Sequence, residues 1–294
     1  MIRTIKRILK RAGAGIAGPI RAGRLEKSIA EVSRSTSGKL EYQHFFENLH
    51  ELSLRGMNVG SGTRVDNSGE LHALKYLKER LKEDSTPPFI FFDVGANIGD
   101  YTKHLLHLFT TDAKIYLFEP SKETFGLLSG NIAADDNVEL NNIGFGDVNA
   151  GQFLYYEKNG SGLASLYHRR LDHFNISADK KEEVIIRRMD DFCREKAIGH
   201  IHFLKLDVEG HELKALEGAH EMMASDAVDF IQFEFGGCNI DSRTYFQDFY
   251  YLLKDKYRIS RIVKDGLCPV NRYKETYENF VTTNYFAERK GFIS

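Results

Sequence analysis

A short stretch of this 294-residue chain concentrates groups able to move protons: Leu204-Lys-Leu-Asp-Val-Glu-Gly-His-Glu212 carries Asp207, Glu209, His211 and Glu212 directly after an apolar run. Carboxylates and an imidazole at the end of a buried strand can take a proton from a hydroxyl, orient it or hold a cation. His211 is a candidate general base because an unperturbed imidazole titrates near neutrality, with Asp207 or Glu209 orienting it or holding the reacting hydroxyl. Glu212 reads as a first-turn helix residue favoured by the helix dipole, and His211 could share that plainer role. Glu234, near the end of the next apolar run, could join Asp207 and Glu209 around a divalent cation, which the sequence permits but does not require.

A second constellation is Asp93-Val-Gly-Ala-Asn-Ile-Gly99, which ends an apolar run and opens a helical one. Glycines there let the backbone approach a ligand, the helix start offers free N–H groups, and in open α/β sheets ligands bind at the carboxyl ends of strands. The spacing then discriminates between ligands. A dinucleotide fingerprint counted from Gly95 finds Asn97 and Asp100 where its second and third glycines belong. Asp93 is placed to face the ammonium of an amino-acid-like ligand, directly or through water. Glu119, at the tip of the following apolar run, offers two acceptor oxygens to paired ribose hydroxyls. S-adenosylmethionine has both an ammonium and a ribose, so Asp93, Gly95, Ala96, Asn97, Gly99 and Glu119 are the expected cofactor contacts. Glu119 alone does not separate this cofactor from NAD, so a nicotinamide-dependent oxidoreductase stands as an alternative. The plainest account is a glycine turn beside a solvated glutamate.

Strand ends must bring these groups together, and the hydrophobic pattern supplies them. Leu71, Leu74, Leu77 and Leu81 predict an amphipathic helix over 68–82, stopped by Pro87 and Pro88. Strand 89–94, helix 100–109, strand 114–119, helix 121–132 and strand 138–145 follow as βαβ units. Residues 148–188 interrupt the alternation with two strand-like runs, 152–157 and 183–188, around a polar Gly- and Ser-containing stretch. It resumes with strand 202–207, helix 211–223, strand 229–235, helix 242–256, and strands 257–263 and 280–286. The expected fold is α/β: a doubly wound, mostly parallel, seven-stranded Rossmann-like sheet with a β insertion and a basic helical N-terminal extension. The expected division is 1–60 and 61–294.

The extension carries Arg3, Lys6, Arg7, Lys10, Arg11, Arg21, Arg24, Lys27, Arg34 and Lys39 against Glu26 and Glu31 over its first 40 residues. Ile2, Ile5, Leu9 and Ile16 recur at helical spacing before Gly13, Gly15, Gly18 and Pro19 break the pattern. Such a helix can lie on anionic lipid, or be a solvated arm or one packed on its own domain or a twin subunit. The whole chain has a formal charge of −2, which gives no global reason to expect nucleic acid as partner. Cys193, Cys238 and Cys268 form no CxxC pair or even disulfide framework, which favours a reducing compartment. The absence of a long apolar run or signal-like start predicts a soluble, uncleaved, cytoplasmic protein, with the arm as the element that could reach the inner face of a membrane.

Asp207 continues as Val-Glu-Gly, not as the Pro-Pro-aromatic turn that grips a base amine, and HExxH, Gly-x-Ser-x-Gly and Walker-type loops are missing. The sequence resembles the FkbM-type methyltransferases across about residues 65–290. The resemblance rests on Phe92-Asp-Val-Gly-Ala-Asn-Ile-Gly-Asp-Tyr101, Phe118-Glu-Pro120, Gly146-Asp147, Met189-Asp-Asp-Phe192, Phe203-Leu-Lys-Leu-Asp-Val-Glu-Gly-His-Glu-Leu213, and Tyr277-Glu-Asn-Phe280 with Asn284. It implies a class I methyltransferase fold, S-adenosylmethionine as cofactor, and O-methylation, often of sugar hydroxyls in polysaccharide or natural-product assembly. Leu206 and His211 stand where the family often carries isoleucine and alanine. Gly144-Phe-Gly-Asp147 looks like the family's Ala-Leu-Gly-Asp turn, which implies Asn142 and Asp147 near the adenine. The expected activity is therefore S-adenosylmethionine-dependent O-methylation of a small-molecule or glycan acceptor, with a non-catalytic S-adenosylmethionine-binding scaffold as the alternative.

Overall fold

The computed structural model describes residues 22–61, 65–84, 86–132 and 136–292. The chain divides into two units, Met1–Leu54 and Arg55–Ser294. In the first, helices α1 (Ala22–Thr36) and α2 (Gln43–Gly56, running just past the division) flank a single 3₁₀ turn. Ile2, Ile5, Leu9 and Ile16, on which a lipid-facing helix was expected, lie outside the described residues.

The second unit opens with α3 (Val65–Ser68) and α4 (Glu70–Asp84). Leu74, Leu77 and Leu81 of the expected stripe are fully buried on α4, joined by Ala73, while Leu71 is only partly buried. Removing such leucines from water contributes about 1.5–3 kcal/mol each. Strand β1 (Phe89–Val94) leads through α5 (Asp100–Phe109) to β2 (Ala113–Phe118), then α6 (Lys122–Asn131), β3 (Val138–Asn141) and the two-residue β4 (Gly144–Phe145). Next come β5 (Ala150–Tyr156), β6 (Lys180–Arg187), α7 (Met189–Glu195), β7 (Ile201–Leu206), α8 (Glu212–Glu217), α9 (His220–Ala224) and β8 (Val228–Phe235). The chain finishes with α10 (Cys238–Ser242), α11 (Phe246–Leu253), β9 (Tyr257–Val263), β10 (Gly266–Pro269) and β11 (Thr283–Arg289).

The main sheet has the order β10-β9-β11-β8-β7-β1-β2-β3. Strands β3, β2, β1, β7 and β8 pair in parallel, and β11 runs antiparallel to β8 and β9. From β1 the chain winds outward through β2 and β3, then returns to the other side of β1 as β7. That reversal opens a crevice at the carboxyl ends of β1 and β7. Period-two alternation sends Phe91, Phe203 and Phe230 to the core under α4 and α5, and Phe92, Leu204 and Ile231 to the core under α7 and α11.

The doubly wound, mostly parallel sheet expected from the pattern is present, with several corrections. It has eight strands, not seven, because β10 adds an antiparallel edge to β9 across a two-residue turn. Pro269 at the end of β10 is tolerated because an edge strand has N–H groups to spare. The single strand expected over 138–145 breaks after Asn141: β3 stays in the main sheet and β4 pairs with β6 in a separate three-stranded sheet, β4-β6-β5. This small sheet is the insertion. The helix expected over 211–223 breaks at Gly218, where the Gly146 carbonyl lies 2.0 Å from the place a Cβ would occupy. The one expected over 242–256 is the shorter α11, Phe246–Leu253, with the separate α10 ending where it was expected to begin.

Candidate functional site

The turn after β1 is held from below by its neighbour, since the N–H groups of Gly95 and Ala96 both donate to the Phe118 carbonyl at 3.0 Å. Gly95 has φ +80°, and a Cβ there would sit 1.8 Å from the Asp207 carbonyl oxygen. Only glycine satisfies both constraints. The turn and the acid-bearing end of β7 are therefore packed backbone against backbone. The Asn97 N–H donates to Glu119 Oε2 at 3.1 Å and the Ser121 N–H to Oε1 at 3.0 Å, so the carboxylate is fixed over the end of β2. Burial nevertheless pushes the Glu119 pKa up to about 7 against these two bonds. Gly95, Asn97, Glu119, Asp207, Glu209 and His211 all line one cleft.

Other expected cofactor contacts lie off that surface. Asp93 is fully buried, accepting from Thr102 Oγ1 at 2.7 Å and lying 3.2 Å from Lys205 Nζ. Ala96 is buried beside it, and Gly99, φ +91°, precedes α5 against Ile132. The Asn142 side chain donates to the carbonyls of Glu119 and Pro120, at 2.8 and 3.0 Å, and borders a neighbouring hollow. Asp147 pairs with Lys214 at 2.9 Å and faces a different depression. The structure thus brings Gly95, Asn97 and Glu119 to the cleft wall, with Asp93 beneath it and Asn142 and Asp147 to its side.

The loop after β7 is shaped by Glu212, whose fully buried carboxylate accepts from the N–H groups of Val208 at 2.9 Å and Gly210 at 3.1 Å. Burial pushes its pKa up to about 7 against those bonds. The expected first-turn residue is a clamp on the loop. Glu209 takes φ +51° and Gly210 φ +104° as the chain reverses. Asp207 is partly exposed, and ligand atoms of Asp207, Glu209 and Glu234 all lie within 4.8 Å of one another. Burial, reinforced by Asp207 and Glu209, holds the Glu234 pKa well above the carboxylate range. Burial also pushes Glu209 up to about 8, with Arg169 opposing and Asp207 adding to the shift.

Two cations meet these acids, and the sequence reading singled out neither. Lys205 Nζ lies 3.2 Å from Asp93, 3.4 Å from Asp207 and 3.2 Å from the Gly95 carbonyl, and 5.0 Å from the Tyr101 ring centroid. Burial opposes its charge, but Asp93 and Asp207 hold its pKa above the ordinary lysine value. A lysine inside Phe203-Leu-Lys-Leu206, apolar on both faces, was a readable signal of a buried ion pair. Arg169 reaches in from the insertion, ion-paired with Glu209 and 3.8 Å from Asp241; no local pattern announces it. His211 has its Nδ1 3.0 Å from the Tyr167 hydroxyl, and its Nε2 is buried without a partner. Burial lowers its pKa to about 4, leaving the ring neutral near pH 7.

The family model of the methyltransferase FkbM domain matches residues 93–258, a span containing both loops. The chain belongs to the FkbM methyltransferase family. Among curated proteins, this FkbM domain is similar to 2-O-methyltransferase NoeI of Sinorhizobium fredii, 24% identical over 161 residues covering 51% of this chain and 65% of NoeI. Hexuronic acid methyltransferase AglP of Haloferax volcanii is 25% identical over 166 residues, covering 56% of this chain and 62% of AglP. The matches span less than two thirds of either relative. A crystal structure of methyltransferase FkbM from Methylobacillus flagellatus aligns with a TM-score of 0.42 at 18% identity, over 69% of this chain and 44% of that one. Among the described residues of the FkbM protein, no helix is long and apolar enough to cross a membrane.

Proposed function

We propose that this FkbM-family protein is an S-adenosylmethionine-dependent O-methyltransferase acting on a sugar hydroxyl. The observation that carries the reading is the contact of Gly95 with the Asp207 carbonyl, which sets the acid-bearing end of β7 directly against the glycine turn after β1. Methyl transfer needs the acceptor oxygen in line with the reactive methyl and a group to receive its proton. S-adenosylmethionine supplies an electrophilic sulfonium methyl. Glu119 would accept the ribose hydroxyls, and the turn from Gly95 to Asn97 would lie against the rest. Asp93 acts from beneath through Lys205. Asp207 takes the hydroxyl proton, Glu209 orients the hydroxyl, and His211, neutral and tied to Tyr167, holds the insertion over the cleft. AglP, named for a hexuronic acid, supports a sugar acceptor.

The close grouping of Asp207, Glu209 and Glu234 also supports a second reading, in which they hold a divalent cation that polarises the hydroxyl. The basic first 40 residues support peripheral contact with the anionic inner face of a membrane from the cytoplasm; unchanged liposome association after their deletion would remove that contact.

Calorimetry with S-adenosylmethionine and NAD, followed by labelled methyl transfer to a sugar panel with and without EDTA, tests the whole reading. Binding of S-adenosylmethionine alone and label on a sugar hydroxyl are expected. Binding without transfer would leave a scaffold, NAD binding an oxidoreductase, and loss of transfer in EDTA the cation.

A further inference from the structure

The segment that leaves β5 and crosses the cleft has a fixed root and a loosely held tip. At the root, Ser165 exchanges backbone hydrogen bonds with Tyr155 at 2.7 and 3.0 Å, and its Oγ donates to the Glu209 carbonyl at 2.7 Å. The Tyr167 hydroxyl meets His211 Nδ1 at 3.0 Å, while Ala164 and Leu166 pack on Leu154, Val184 and Ile186 of the small sheet.

The tip, residues 158–163, has no such anchorage. Among the described residues two hydrogen bonds tie it to elements outside the insertion, both at 3.3 Å: the Asn97 side-chain amide donates to the Ser161 carbonyl, and the Gly160 N–H donates to Thr124 Oγ1. That length lies just past the ordinary N–H···O range, where the interaction weakens. Gly160 (φ +68°) and Gly162 give the backbone there its freedom to change course.

Ser161 and Gly162 of the tip nevertheless line the same cleft as Gly95, Asn97, Glu119 and Asp207. With the tip in place the cleft has about 60 Å³ of free space. Sites that take drug-sized ligands enclose about 300–1,000 Å³. A nucleoside-sized cofactor running from Glu119 along the Gly95 turn and the tip as it stands therefore exclude one another.

We propose that residues 158–163 are an occluding flap: the tip lies where part of S-adenosylmethionine must lie, and it swings away from Asn97 and Thr124, with Ser165 as its fixed root, before the cofactor enters. This rests on the reading of the cleft as the S-adenosylmethionine site. Because the closed flap competes with the cofactor, the apparent affinity is the intrinsic affinity reduced by the fraction of molecules that are open. Weakening the hold on the flap must then tighten cofactor binding, the opposite sign from damage to a binding site.

Calorimetric titration of S-adenosylhomocysteine into the full-length protein tests this. Thr124 lies outside the cleft lining, and Thr124→Val removes the acceptor of the Gly160 N–H at nearly constant volume. This variant should bind about 5-fold more tightly than wild type, the effect of one ordinary hydrogen bond lost from the closed state alone. The converse variant pins the tip: a Cβ at Gly162 would lie 3.9 Å from Asn97 Nδ2, so Asn97→Cys with Gly162→Cys sets two thiols face to face. Oxidised, this protein should bind at least about 100-fold more weakly than the same protein reduced with dithiothreitol, and S-adenosylhomocysteine added before oxidation should slow the cross-link, followed by mass spectrometry. Where the pair does not cross-link, Thr124→Val decides. Equal or weaker binding by Thr124→Val, or undiminished binding by the cross-linked protein, would overturn the flap and leave the cofactor reading intact. Failure of wild type to bind S-adenosylhomocysteine at all would sink the cofactor reading, and the flap with it. Tighter binding by Thr124→Val without methyl transfer to any sugar would sink the transferase reading and leave the flap standing.

Discussion

The turn after β1 and the loop after β7 both follow a buried strand and lead into a helix, yet they handle charge differently. At the first, the carboxylate of Asp93 is spent beneath the surface on Thr102 and Lys205, and the cleft sees mainly backbone and Glu119. At the second, Asp207 and Glu209 line the cleft, and Glu209 is matched by Arg169, 40 residues earlier in the chain. A site of backbone groups is set by glycines and strand pairing alone. A site of clustered carboxylates works only if distant elements supply the opposing charge.

Four substitutions sharpen or break this contrast. Asp207→Asn should lower turnover by about 1,000-fold while the dissociation constant for S-adenosylmethionine stays within about 3-fold, in single-turnover and calorimetric assays; a parallel loss of affinity would mean the two loops act as one. Gly95→Ala should weaken cofactor binding by about 100-fold and lower the melting temperature, since the added methyl collides with the Asp207 carbonyl and φ is positive. Normal binding by that variant would move the cofactor elsewhere.

Glu119 gives a pH signature. Because burial raises its pKa to about 7, the carboxylate proposed to accept ribose hydroxyls is lost as pH falls through that value. Cofactor affinity should therefore drop by up to about 10-fold per unit below pH 7 and level off above it. Glu119→Gln should flatten the dependence; an unaltered slope would exonerate Glu119. The smallest effect belongs to His211→Ala, expected to cost less than about 10-fold in kcat/KM, because a ring tied to Tyr167 with a pKa near 4 is a weak base. A drop as large as that of Asp207→Asn would make His211 the proton acceptor.

The first loop was legible because its parts are local: strand, glycine turn and helix lie within 21 residues, and Glu119 ends the very next strand. Even there the direction of Asp93 was not readable, because it depends on Lys205, which arrives from β7. In the second loop Asp207, Glu209 and Glu234 could be found from strand ends, but Arg169 and Tyr167 could not. They sit in a polar stretch without periodicity, and their meaning comes only from long-range contact. The same limit explains the missed edge strand β10, whose four residues are too short to show alternation. It explains the undetected break between β3 and β4 too, since either side reads as extended chain and only the partner strand differs.

The three-stranded sheet of the insertion starts and ends at nearly the same point, for the Gly146 N–H donates to the Arg187 carbonyl at 3.0 Å. A segment whose two ends are already stitched together can be lengthened, shortened or exchanged without rerouting the strands on either side. The fold is in that respect modular: a graft between Gly146 and Arg187 would carry a new set of side chains to the cleft beside an unchanged glycine turn, giving evolution or an engineer one splice site through which to remodel it.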